Sequence, residues 1–161
     1  MKKVRNPFAV MAGNESYNCF GCSPANKIGL HLDFWLDGEE LVAEWQPQKS
    51  YEGWTGVLHG GIQATLLDEA AAWLIMTTKN TASVTSSMHV KYLRPVFISK
   101  GKLTVRARLQ SEEKRILHID CNLLNAEGEV CTEARVSCFC YPEHIARAKY
   151  NYPGIEAFFE E

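Results

Sequence analysis

The sequence predicts an α+β fold in which an antiparallel sheet of about five to six strands wraps around one long central helix. Three observations predict it. Residues 62–78 form a run without Pro or Gly whose second half, Ala70 to Met76, is apolar on all sides. Two strand-like runs precede this segment, and four more follow it, joined by short turns. A helix with no polar face must be covered all round, and short connections favour antiparallel neighbours.

The elements follow in order. Residues 1–28 hold Asn, Gly, Pro and Ser at close intervals without periodicity and read as an irregular arm packed on the domain. Leu30, Leu32, Phe34 and Leu36 alternate with His31, Asp33 and Trp35, Asp37-Gly38 marks a turn, and Leu41–Trp45 returns, which together make a hairpin. A Gly- and aromatic-rich linker, Pro47–Leu58, leads through His59-Gly60-Gly61 into the helix. The later strands are Val84–Leu93, Lys102–Gln110, Arg115–Leu124 and Val130–Tyr141. Residues 29–145 thus form the domain, and residues 146–161 a tail able to form a short amphipathic helix.

Composition narrows the function. The 161 residues suit one domain, and 17 Lys+Arg against 19 Asp+Glu give a net charge of −2 with no basic run, which removes support for nucleic-acid binding. The stretch from Ile62 to Met76 is interrupted by Gln63, Asp68 and Glu69, so no membrane span is expected. The apolar run Phe8–Ala12 is too short for a secretory signal, which gives a cytoplasmic expectation. The six cysteines are then read as thiols. Phosphate-loop, Rossmann, nucleophile-elbow and zinc-protease motifs are all absent.

Chemistry concentrates where the linker meets the helix. Gly60 and Gly61 at a helix start leave backbone N–H groups open beside the positive end of the dipole, where an oxyanion can bind; the alternative is a tight turn for close packing. Asp68 sits on the wheel beside Ala64, Ala71, Ala72 and Ile75, so its carboxylate needs a partner if buried, and Glu69 lies near Thr65, Trp73 and Met76. Eight residues separate Gly60 from Asp68, roughly 12 Å along a helix, too far to share one carbonyl. If both serve one substrate, they come from two chains of a symmetric dimer. Cys19-x-x-Cys22 with Cys138-x-Cys140 lacks the paired spacing of a zinc site, and the expectation is structural thiols and no metal.

The run from Gly56 to Ala70, with its His59-Gly60-Gly61 and Asp68-Glu69, resembles the central-helix motif of the hotdog-fold acyl-CoA thioesterases, in their phenylacetate-pathway and Them-type branch. Val90–Val96 is similar to the strand after that helix, and Cys19–Leu30 to the preface of some members; the likeness spans about Cys19 to Tyr141. The resemblance implies that the Gly60 amide polarises a thioester carbonyl, that His59 shapes the turn, and that Asp68 of the partner chain serves as nucleophile or general base. Thr85, ten residues before Pro95, matches a Ser/Thr position that holds the attacking water. Strand parity groups Thr85 with Ser87, His89 and Lys91, which places His89 on the site-facing side.

Gly61, Glu69, Trp73, His89, Lys91 and Arg94 complete the expected substrate contacts, with the acyl chain along Ala72, Trp73 and Met76 and the two cations Lys91 and Arg94 near the phosphates of coenzyme A. The expected partners are the acyl-CoA substrate and a second copy, as a homodimer or a dimer of dimers, without nucleic acid or membrane. No cofactor is expected, since coenzyme A is part of the substrate. The sequence departs from the resemblance at Gly53, where many members carry Asn. That departure favours the first rival, a hotdog protein that binds acyl-CoA without turnover; the second rival is a hotdog dehydratase or hydratase.

Overall fold

A computed structural model describes residues 1–11 and 13–159. Its sheet has seven strands in the order β1-β2-β3-β5-β6-β7-β4. In chain order these are β1 (Lys2–Val4), β2 (Asp33–Asp37), β3 (Glu40–Trp45), β4 (Ser83–Tyr92), β5 (Leu103–Glu113), β6 (Ile116–Leu124) and β7 (Val130–Cys140). Helix α1 (Gly60–Thr78) lies between β3 and β4 in sequence, and α2 (Glu143–Tyr150) follows β7. All the pairings are antiparallel.

The sheet curls around α1, which touches β3, β4, β5, β6 and β7. Leu66, Leu67, Ala70, Ala71, Leu74 and Ile75 are buried accordingly, which accounts for the missing polar face. Trp73 stacks on Phe34 at 4.4 Å and takes the edges of Phe8 and Phe158, so the arm and the tail both close over the second half of the helix. Tyr152 donates its hydroxyl to the Met76 carbonyl at 2.7 Å, fastening the tail to the last turn of α1.

Three expectations change. The arm contributes β1, which pairs with β2 and raises the strand number to seven. The first hairpin strand starts only at Asp33, because His31 takes a left-handed φ of 53° and breaks the extended run. The residues before it bond to the arm instead, Leu30 N–H to the Phe20 carbonyl at 2.8 Å and Leu32 N–H to the Gly21 carbonyl at 3.0 Å. In the tail, α2 ends at Asn151 and a short 3-10 turn (Ile155–Phe158) follows; the end of the expected tail, residues 160–161, lies outside the described residues, as does Ala12.

A register shift in β4 matters most for function. The pairing with β7 runs Thr85↔Cys138 and then Ser87↔Ser137, so Ser86 is a bulge. An extra residue reverses the alternation. Thr85 therefore shares the helix-facing side with Met88 and Val90, which pack on the core, and not with His89 and Lys91.

Candidate active site

His59 is the N-cap of α1, and its ring Nδ1 accepts the Gly61 N–H at 2.9 Å. The Ile62 and Gln63 N–H groups both reach the His59 carbonyl at 3.1 Å. Among the described residues, Gly60 is left as the one residue of this first turn whose N–H has no acceptor. That amide borders an open cavity of about 760 Å³ lined by Gly53, Trp54, His59, Tyr92 and Arg94 among others. Tyr92 donates its hydroxyl to the Gly60 carbonyl at 2.8 Å, which fixes the peptide on its far side.

The second half of the site lies two turns along the helix. Thr85 donates its hydroxyl to Asp68 Oδ1 at 2.6 Å, which supplies the partner that this carboxylate needs. The contact exists because the Ser86 bulge turns Thr85 inward. It sits on β4, whose outer side carries no partner strand among the described residues and which is exposed along most of its length. The free amide and the carboxylate are thus both at this edge, but separate within one chain.

Glu69 lies elsewhere. It faces the arm, with Cys19 Sγ 3.7 Å from each of its carboxylate oxygens. Burial, and then the charge of Cys19, push its carboxyl up to about 8. A hydrogen bond from Cys22 brings the Cys19 thiol down to about 6 against the opposing effect of burial. Trp73 is only 1% exposed and is a core residue that forms the floor of a cavity of about 250 Å³ with Ala72 and Met76.

His89 and Lys91 fall on the opposite side of β4 from Thr85, which corrects the strand parity. They line a shallow pocket on the outer face of the sheet with Arg108, Asp120 and Arg135, away from Asp68. Arg94 does line the cavity at the helix start, though its guanidinium is paired with Glu129 at 2.5 Å. Gly61 lies beside that cavity with its amide already taken by His59.

Residues 55–132 match the family described as the Thioesterase superfamily. The matched stretch runs from the loop before α1 into β7, and the chain as a whole has the hotdog fold. Among the relatives, a protein of Saccharolobus solfataricus named as an esterase is 29% identical over 89 residues, which cover 55% of this chain and 58% of that protein. The match thus spans less than two thirds of that relative's length. The mouse (Mus musculus) acyl-coenzyme A thioesterase 13 is 26% identical over 99 residues, 60% of this chain and 70% of its own. Among solved structures, the E. coli PaaI protein of the phenylacetic acid degradation operon superposes with a TM-score of 0.63 at 23% identity, covering 70% of this chain and 81% of its own. A Streptococcus mutans protein bound to acetyl CoA gives 0.61 at 18% identity, covering 68% of this chain and 88% of its own.

Three further residues take part in the site. Tyr92 holds Gly60, while Gln63 donates to the Leu58 carbonyl at 3.0 Å and accepts from Thr132, pinning the loop before the helix to β7. Gln63, a polar residue ahead of the apolar half of the helix, is visible in the sequence; its partner on a strand 69 residues away is not. Among the described residues, no helix is long and apolar enough to cross a membrane.

Proposed function

We propose that this chain hydrolyses an acyl-CoA thioester to a free acid and coenzyme A, as a homodimer or dimer of dimers in the cytoplasm. The observation that carries the reading is the free Gly60 N–H at the mouth of an open cavity, a donor aimed where a thioester oxyanion would form. The match of residues 55–132 to the thioesterase superfamily supports thioester chemistry. The Asp68–Thr85 pair supplies the group that activates the attack.

The long open edge of β4 supports the subunit arrangement. An unpaired edge of ten residues invites a second strand, and a second copy of the chain is the natural occupant. In an antiparallel β4–β4 pair related by a two-fold axis near Met88, the Tyr92 end of one strand meets the Thr85 end of the other. Gly60 of one chain then approaches Asp68 of the partner subunit, which resolves their separation along α1.

In the reaction, the carbonyl oxygen takes the Gly60 N–H as it gains charge. Asp68 either removes the proton from the attacking water or attacks the carbonyl itself, with Thr85 holding its carboxylate. The thiolate leaves and takes up the proton; where Asp68 attacks, water then hydrolyses the mixed anhydride on Asp68, and on either route the acid is released. Arg94 at the cavity mouth meets a phosphate of coenzyme A in exchange for Glu129, and the acyl chain enters the space against Ala72 and Met76. The proposed chemistry calls on no cofactor.

The test is hydrolysis across short, medium, long and aromatic acyl-CoAs, followed chromatographically, with Asp68→Asn in parallel. The proposal expects turnover with at least one class and its loss in the variant by about 10²–10⁴-fold. Saturable acyl-CoA binding without product would instead establish the binding protein that Gly53 favours. Single-turnover reaction in ¹⁸O water separates the two roles of Asp68: an anhydride opened by water at the Asp68 carbon leaves ¹⁸O in the Asp68 side chain, whereas the general-base route puts it in the released acid.

A further inference from the structure

We propose that Cys19, Cys22 and Glu69 bind one thiophilic divalent cation, zinc by its ligand preference, which ties the N-terminal arm to α1. One ligand atom from each residue lies within 4.8 Å of the others. Cys19 Sγ is 3.7 Å from both carboxylate oxygens of Glu69. A tetrahedral zinc, with Zn–S near 2.3 Å and Zn–O near 2.0–2.2 Å, sets sulfur and oxygen ligands about 3.5 Å apart. The side chains already stand at close to that separation. The Cys-x-x-Cys spacing is one that zinc sites use, and Glu69 supplies the third ligand from a different element.

The surroundings hold these groups in place. Gly21, between the two cysteines, lies so close to Glu69 that a Cβ there would come within 2.3 Å of the carboxyl carbon. Only a residue without a side chain lets the loop backbone press on the carboxylate in this way. The loop is fixed by Ser23 N–H to the Cys19 carbonyl at 3.0 Å, by Leu32 N–H to the Gly21 carbonyl at 3.0 Å, and by the Asn6 side-chain amide to the Cys22 carbonyl at 3.0 Å. Among the described residues, no Lys or Arg lines the adjoining cavity. Tyr17 Oη, 2.7 Å from Cys22 Sγ, and that cavity border the remaining coordination position. The sequence offered Cys138 and Cys140 as further ligands, but they belong to β7, with Cys138 opposite Thr85, and form no part of this cluster.

The role is structural: the ion would fasten residues 19–22 to the middle of α1 through Glu69. It does not depend on the thioesterase reading, and its test does not use turnover. The full chain, purified without chelator, is assayed for metal by mass spectrometry, and metal-free protein is titrated with Co²⁺. The expected result is one metal per chain and thiolate-to-cobalt absorption that saturates at one equivalent. Cys22→Ser should abolish that absorption, Glu69→Gln should weaken binding by about tenfold or more, and Cys138→Ser should leave it intact. Absence of thiolate-to-cobalt absorption from wild-type protein, with both thiols shown free by alkylation, would overturn the proposal. So would a Cys19–Cys22 disulfide that forms in the presence of excess zinc. Because the wild-type titration carries the test, a variant that fails to fold does not obscure it.

Discussion

At the scale of single residues, Gly60 lends itself to a pair of substitutions that separates its shape from its amide. Gly60→Ala keeps the N–H and brings a Cβ 3.3 Å from the Tyr92 ring, a flexible neighbour that can yield. Gly60→Pro removes the N–H at the first helical position, where proline is tolerated. His59, at φ −58° and ψ 134°, already has the conformation that a following proline requires. The expected outcome is near-normal kcat for the alanine variant and a loss of about 10²–10³ for proline, with both folded by circular dichroism. Equal losses would assign Gly60 a packing role. Thr85→Val should lower kcat by about tenfold, the worth of one hydrogen bond to a charged group, with little change in thermal midpoint.

Individual residues were legible in the sequence where the chemistry is local. Gly60 and Asp68 stood out because a glycine pair opens a helix and a carboxylate interrupts an apolar one. The parity that groups Thr85 with His89 and Lys91 fails because a single bulged residue, Ser86, reverses it and leaves no mark in composition. Nothing local in the sequence pairs Glu69 with Cys19, because that neighbour comes from an arm about fifty residues away.

At the scale of elements, α1 was readable from its unbroken run without Pro or Gly and the later strands from their composition and turn signals, with bounds shifted by only a few residues. The link between the loop before α1 and β7 was not, since it rests on the buried Gln63–Thr132 pair. Thr132→Val leaves Gln63 Oε1 without that donor and should cost about 1–3 kcal/mol in chemical denaturation. An unchanged midpoint would show that the loop does not rely on it. Phe158 is fully buried and sets its ring edge against Trp73, so Phe158→Ala should cost about 3–5 kcal/mol if the tail is integral to the core. A loss below about 1 kcal/mol would make the tail a loose appendage.

At the scale of the whole molecule, the seventh strand and the open edge of β4 were the least legible features. A three-residue strand such as β1 carries too little alternation to be seen, and an edge is defined only once every other strand has found its place. The proposed assembly predicts a species of twice the 18.1 kDa chain mass, or of four times for paired dimers, in sedimentation. It also predicts slow hydrogen exchange at the outward amides of β4, where a monomer would exchange them freely.

The central claim is that one thioester is held by Gly60 of one chain and attacked with the help of Asp68 of the partner subunit. Mixing Asp68→Asn with Gly60→Pro, each inactive alone, under conditions that exchange subunits tests it most directly. Random exchange makes half of the dimers mixed, each with one intact site of two, so about a quarter of wild-type activity should return. Mixed dimers that form, as shown by native mass spectrometry, yet restore no hydrolysis would contradict the shared site.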